Sequence, residues 1–533
     1  MAAKQPHPLM QDRAAGLSPI AAGLLRTATV ALDRLDPKTA EVALTSVLAL
    51  EPDCAEALRM QGVVLHLRGD YAEAVTLLRR AHALAPDDAM VQMNLATALY
   101  ADGEFATAVP YLQRACALAP DFAPAWFNLG KVYMLQGRPA GAITALHRAL
   151  DVDPDHVPAR VLLAQAETAL GMVTQASANY REVLRCEPGQ PIAWGGLADL
   201  DAERLSKEDV VQLRKALHKP GATHPVRVAL GFALVKALED QSDYDGAFRA
   251  LYKANSLQHR QLNWSPAKAS AQVDALIGAF ATPPHGASDP TQGEQVIFVV
   301  ALPQSGSVLT EQVLAAHPQM AAAGDLTDLQ QVINDESVRQ GRPLRQWAKT
   351  ATAADWSRLG RDYLARTECW RRRKPCFIDR SLHNWRLVGA ALAMLPGARV
   401  VNSRRDAFEN CFACYRQLFA SGYEFTYDLD HMVSYWRDYD RLSRHWQRLF
   451  PTRFTDHGYE AWQADPEGQV RRLLDFCGLA FAPACVEFHR KQDASAGSMS
   501  PGQLLRRDSE RAALYGKNLD RLRALLSSGD TVS

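Results

Sequence analysis

Residues 303–307, Pro-Gln-Ser-Gly-Ser, follow the apolar run 296–302 and precede a helical pattern in which Leu309, Val313 and Ala316 share one face. A strand, a glycine-bearing turn and a helix start in that order make an anion site. The turn's N–H groups point outward, and the helix dipole adds its positive end. A concentration of charge, Arg404-Arg405-Asp406, stands just after the run 398–402, Ala-Arg-Val-Val-Asn. A nucleoside-triphosphate loop needs G-x-x-x-x-G-K-[ST], with its lysine on the β- and γ-phosphates. Here Gly306 is followed by Ser307 and no lysine, which argues against a kinase or NTPase.

The elements that must position these groups alternate. Residues 376–379 read as a short strand, 385–395 as helix, 398–402 as strand and 408–419 as an aromatic-rich helix. Such alternation implies a parallel sheet with right-handed crossovers and ligands at the strands' C-terminal ends, where the 303–307 turn and the 404–406 charges both fall. The stretch 281–295, rich in Pro, Gly, Ser and Thr, reads as a linker.

The first half is periodic. Prolines stand at 52, 86, 120, 154 and 188, and Gly69, Gly103, Gly137 and Gly171 keep the same 34-residue interval. So do Ala74, Ala108, Ala142 and Ala176, and the small residues Gly62, Ala96, Gly130, Ala164 and Ala198. Small residues let two antiparallel helices approach, the glycine ends the first helix and the proline closes the second. The segment 19–52 keeps Ala40 but lacks the glycine, and Tyr244-Asp245-Gly246-Ala247 echoes Tyr71-Ala72-Glu73-Ala74 in a later hairpin.

Composition bounds the function. The chain has 533 residues, 47% hydrophobic and 22% charged, with Lys+Arg and Asp+Glu equal at 59 each. That balance argues against nucleic-acid binding driven by bulk charge. Nine scattered cysteines suit a reducing cytoplasm, and Cys411 and Cys414 read as small residues on one helix face rather than zinc ligands. No apolar run approaches the ~20 residues that span a bilayer. No metal is expected.

The 34-residue pattern resembles the tetratricopeptide repeat (TPR) family. The runs VVALPQSGSVLTEQVLAAHP through Gly324-Asp325, FIDRSLHNWRLVGAALAMLPGARVVNSRRD and DPEGQVRRLLDFCGL resemble the sulfotransferase family. Together they look like bacterial TPR–sulfotransferase fusions, more distantly like tyrosylprotein sulfotransferases. The implied fold is an all-α TPR solenoid followed by an α/β, P-loop-like domain with a parallel sheet. The expected divisions are a tail at 1–18, repeats at 19–280, regular to about 188, a linker at 281–294, the α/β domain at 295–515 and a C-terminal helix and tail at 516–533.

The resemblance implies 3′-phosphoadenosine-5′-phosphosulfate (PAPS) as sulfuryl donor. Its phosphosulfate would lie on Gln304, Ser305, Gly306, Ser307 and Val308, and its 3′-phosphate on Arg405 and the position of Ala413. Asp325 would be the general base toward an acceptor hydroxyl, and Arg380 the cation for the leaving oxygen. The TPR groove would hold a protein or peptide. The family loop P-R-S-G-T-T reads P-Q-S-G-S-V here, Ala413 replaces a serine, and 494–507 lacks a family nucleotide motif. The alternative is therefore a weakly active or inactive protein of the same fold, working as a binding scaffold. Plainer readings also stand for single residues. Asp325 would cap the next helix, Arg380 would sit in a surface ion pair, Arg404 and Arg405 would pair with Asp406 and Glu409, and His383 is a second candidate base.

Overall fold

The computed structural model describes residues 13–200, 204–488 and 511–528, so the stretch 494–507 lies outside the described residues. By internal contacts the chain divides into two compact units, Met1–Glu203 and Arg204–Ser533. The irregular helices after 205, read from sequence with the repeats, are grouped with the second unit, as is the segment read as a linker.

The first unit is a run of antiparallel helix pairs: Pro19–Asp33 with Pro37–Leu50, Ala55–Arg68 with Tyr71–Leu84, Ala89–Ala101 with Phe105–Leu118, Ala123–Leu135 with Pro139–Val152, and Val157–Ala169 with Val173–Cys186. Proline begins several of these helices, where its missing N–H costs nothing. Each inter-helix turn needs a left-handed residue. Gly69, Gly103, Gly137 and Gly171 supply φ of +90°, +91°, +66° and +70°. In the opening repeat the same turn is kept by Leu35 at φ +57°. The small residues serve close approach: a Cβ on Gly62 would meet Leu78 at 2.5 Å, and one on Gly130 would meet Leu146 at 2.7 Å.

A further 34-residue series emerges only in three dimensions. The carbonyls of Pro86, Pro120, Pro154 and Pro188 accept hydrogen bonds from Gln92 (2.5 Å), Trp126 (2.9 Å), Arg160 (2.7 Å) and Trp194 (2.9 Å). Each repeat is thus pinned to the proline ahead of it by whatever long donor stands at that position.

The second unit opens with helices, among them the hairpin His224–Asp240 and Tyr244–His259, in which Ser242 takes the left-handed turn position at φ +61°. Five strands follow: β1 (Val296–Ala301), β2 (Met320–Ala322), β3 (Cys376–Asp379), β4 (Arg399–Arg404) and β5 (Phe454–Gly458). They form one parallel sheet in the order β2-β3-β1-β4-β5. The fully buried β1 lies at its centre, as an unbroken apolar run requires. On one face Ile297 and Val299 pack with Val313, Leu314, Val470 and Leu473. On the other, Phe298 meets Tyr363 at 5.7 Å. The edge strands escape sequence reading because β2 has three residues and β5 is the mixed run FTDHG. The chain leaves β1 toward β2 and leaves β4 toward β5, at opposite edges. The crevice between β1 and β4 is therefore the topological switch point, where such sheets bind ligands.

Candidate active site

Every loop that leaves the sheet at its C-terminal end carries a residue of interest. Gln304–Val308 follow β1, Asp325 follows β2, Arg380 follows β3, Arg405 follows β4 and Tyr459 follows β5. Parallel pairing alone gathers residues more than 150 positions apart at one end of the sheet.

The turn after β1 is built tightly. Gln304 and Gly306 both adopt left-handed backbones, φ +60° and +82°, and the helix Ser307–Ala315 starts with no side chain capping it. A Cβ on Gly306 would lie 2.3 Å from the Tyr459 ring, so this position needs glycine for space as well as for conformation. Beneath the turn, Asn410 donates to the Pro303 carbonyl at 2.7 Å and to Ser305 Oγ at 2.9 Å, and Cys414 Sγ approaches the same carbonyl at 3.2 Å. Thr310 Oγ1 and Ser403 Oγ, 2.9 Å apart, tie the helix to β4. The C-x-x-C pair is buried on the helix Ala407–Tyr415.

Arg405 enters this turn from β4. Its Nη1 donates to the Gln304 carbonyl at 3.3 Å, its guanidinium lies 5.0 Å from the Tyr459 ring centroid, and Glu409 stands 3.6 Å away. The residue is 7% exposed, and its Nε is buried without a partner. An uncapped helix start and a buried guanidinium nitrogen are both groups that an anion can satisfy. Ser305 and Ser307 are buried in the turn, whereas Gln304 and Val308 are exposed. Ala413 is half-buried on the 407–415 helix and brings no polar side-chain atom.

A cleft of about 670 Å³, lined by Asp325, Ser381, His383, Asn384, Arg386 and residues of the helix Asp328–Gln340, lies past the ends of β2 and β3 and takes no residue from the 303–307 turn. Asp325 is exposed and does not cap that helix, whose N-cap is Thr327. His383 stacks on Tyr423 at 5.2 Å, and desolvation followed by Arg386 lowers its pKa, so the ring is neutral at pH 7. Arg380 donates its Nε to Glu311 at 2.6 Å. Arg404 pairs with Asp440 and Asp456 rather than with Asp406, which caps the 407–415 helix. At the end of β3, Asp379 is fully buried and receives bonds from Tyr363 Oη (2.8 Å) and the Ser381 N–H (3.2 Å). Burial outweighs those bonds and, with Asp325 and Asp328 nearby, pushes its carboxyl up to about 7.

Sequence reasoning missed Asn410, Tyr459 and Glu311. Their roles lie in contacts across 107, 153 and 69 residues, which no local motif encodes.

A parallel sheet in the order β2-β3-β1-β4-β5, with a glycine turn and a helix start at its switch point, defines an α/β domain. Residues 296–483 match the sulfotransferase family, while 25–89, 93–156 and 133–200 match tetratricopeptide repeats. One chain thus carries regions that match both families, the arrangement of a tetratricopeptide-repeat/sulfotransferase fusion. An uncharacterized protein of Aquifex aeolicus (strain VF5) is 28% identical over 342 residues, 62% of this chain and 44% of that protein, so the chain spans less than half of that relative's length. Solved structures similar to it include a tetratricopeptide repeat protein from Parabacteroides merdae ATCC 43184, with 19% identity over 45% of this chain and 94% of that one and a TM-score of 0.33. Another is a thermophilic TPR protein of Thermus thermophilus, with 22% identity over 34% of this chain and 98% of that one and a TM-score of 0.30. Among the described residues no helix is long and apolar enough to cross a membrane.

Proposed function

We propose that the second unit binds PAPS and transfers its sulfuryl group to a hydroxyl, and that the repeats recruit the protein or peptide bearing that hydroxyl. The observation that carries this reading is the uncapped 307–315 helix start next to a turn that Arg405 Nη1 reaches at the Gln304 carbonyl, while Arg405 Nε is buried without a partner. In this reading the main-chain N–H groups of Gln304, Ser305, Gly306, Ser307 and Val308 cradle the phosphosulfate, and Arg405 takes the 3′-phosphate, with no hydroxyl from Ala413 to help. Asp325 accepts the acceptor's proton, and the two Nη of Arg380 offset charge on the departing oxygen. The donor supplies an activated sulfur: the acceptor oxygen bonds to it as its bond to the bridging phosphate oxygen breaks, and adenosine 3′,5′-bisphosphate leaves. All nine cysteines are free, which supports a reducing, cytoplasmic setting.

Calorimetric titration with adenosine 3′,5′-bisphosphate tests the donor site. Micromolar binding that disappears in Arg405→Ala is the expected result. Absence of heat at high excess overturns the enzyme reading in favour of a scaffold, which the neutral Gln304 and the apolar Val308 and Ala413 would then explain. Labelled-sulfate transfer to a mixed acceptor library follows, where full turnover by Asp325→Asn would remove the base assignment.

A further inference from the structure

Glu311 stands in the second turn of the helix that begins at the anion site, and it is 8% exposed. A buried carboxylate is costly unless its oxygens are filled. Both are, by partners from two different loops. Oε1 accepts from the Gly324 N–H at 3.0 Å, and Oε2 accepts from Arg380 Nε at 2.6 Å. Those two loops are also joined directly, because the Arg380 N–H donates to the Gly324 carbonyl at 2.8 Å. Glu311, Gly324 and Arg380 thus close a ring of three hydrogen bonds. It joins the anion-site helix, the loop after β2 and the loop after β3.

The ring fixes what matters on each side. Gly324, left-handed at φ +70°, immediately precedes Asp325, so holding its N–H sets where the carboxylate leaves the chain. Holding Arg380 by Nε restricts its guanidinium to one orientation while neither Nη is bonded among the described residues. A planar guanidinium can give one edge to a protein carboxylate and keep the other for a ligand oxygen.

We infer that Glu311 is a positioning residue of this site: it holds Arg380 and the Asp325 loop at fixed distances from the anion-binding turn. The inference rests on the sulfuryl-transfer reading above. Glu311→Gln keeps the side chain's shape and one acceptor but turns a second nitrogen donor toward Arg380, so the ring opens there. The expected outcome is a kcat lowered by about tenfold or more, with the donor KM and the affinity for adenosine 3′,5′-bisphosphate unchanged within about threefold. A residue of purely structural importance would not give that split.

A second measurement is independent of turnover. Arg380→Met leaves the buried Glu311 carboxylate without its cation, held only by the Gly324 N–H, so it should lower the Tm of the second unit, and adding Glu311→Gln should restore part of the loss. Should Glu311→Gln not fold alone, the comparison of Arg380→Met with the double variant carries the test. Additive Tm shifts, or full kcat in Glu311→Gln, overturn the inference. If the wild-type protein transfers no sulfuryl group, the functional reading falls, and the Tm comparison alone decides whether Glu311 holds Arg380.

Discussion

At the scale of the residue, Asp379 makes the sharpest claim about pH. Its carboxyl lies at the end of β3, fully buried, and titrates near 7 instead of 3.8. Below about pH 4 it is protonated in the folded and unfolded chains alike. Between about 4 and 7 the unfolded chain releases the proton and the folded chain keeps it. The unfolded state then binds fewer protons, so stability falls as pH rises through that window and levels off above it. The contribution is on the order of 4 kcal/mol, from the 1.36 kcal/mol that each pKa unit represents. Asp379→Asn keeps an acceptor for Tyr363 and removes the titration. Urea unfolding of wild type and variant at pH 4, 5.5 and 7 should show the variant gaining relative to wild type at each step. A constant difference would mean that Asp379 does not titrate in this range. The same residue marks the limit of what was legible. The turn at 303–307 and the arginines at 404 and 405 stand out because a strand-like run, 296–302 or 398–402, ends just before each. Asp379 reads only as the last residue of a short strand. Its environment is made by Tyr363 and Ser381 and by the burial that a central sheet imposes, and none of these is visible in the run itself.

At the scale of the element, the repeats show which parts of a pattern are conformational and which are chemical. The turn between paired helices demands a left-handed residue, and glycine is the low-strain answer at 69, 103, 137 and 171. The opening repeat was readable as degenerate because Leu35 occupies that position, yet the turn persists with Leu35 at φ +57° and 83% exposed. A non-glycine residue there costs about 1–2 kcal/mol. Glycine gives back roughly 0.5–1 kcal/mol of that through its freer unfolded chain. Leu35→Gly should therefore stabilise the first unit by a net of about 0.5–1 kcal/mol, read as a raised Tm in circular dichroism. Ser242→Gly is the parallel test in the later hairpin. A lowered Tm for Leu35→Gly would mean that the exposed side chain contributes more than its backbone costs. The proline-pinning series could not be found by residue type, because its members are Gln92, Trp126, Arg160 and Trp194. What repeats is the reach and a donor nitrogen, not a side chain.

At the scale of the whole molecule, the two units have separate cores. In the first, buried residues run from Ala14 to Val64 and from Leu65 to Ala166, and in the second a cluster from Ile297 to Cys485 underlies the sheet. Scanning calorimetry of the full chain should therefore resolve two transitions. Tryptophan fluorescence assigns them, since eight of the ten tryptophans lie beyond residue 203. Every residue proposed to hold the donor also lies there. A ligand that binds only the folded state adds RT ln(1 + [L]/Kd), about 2.7 kcal/mol at a hundredfold excess over Kd. Adenosine 3′,5′-bisphosphate should thus raise the tryptophan-reported transition by a few degrees and leave the other in place. Movement of neither transition would argue against a working donor site. Movement of both would mean that the units melt as one cooperative body, and the division seen in the contacts would then not be a division in stability.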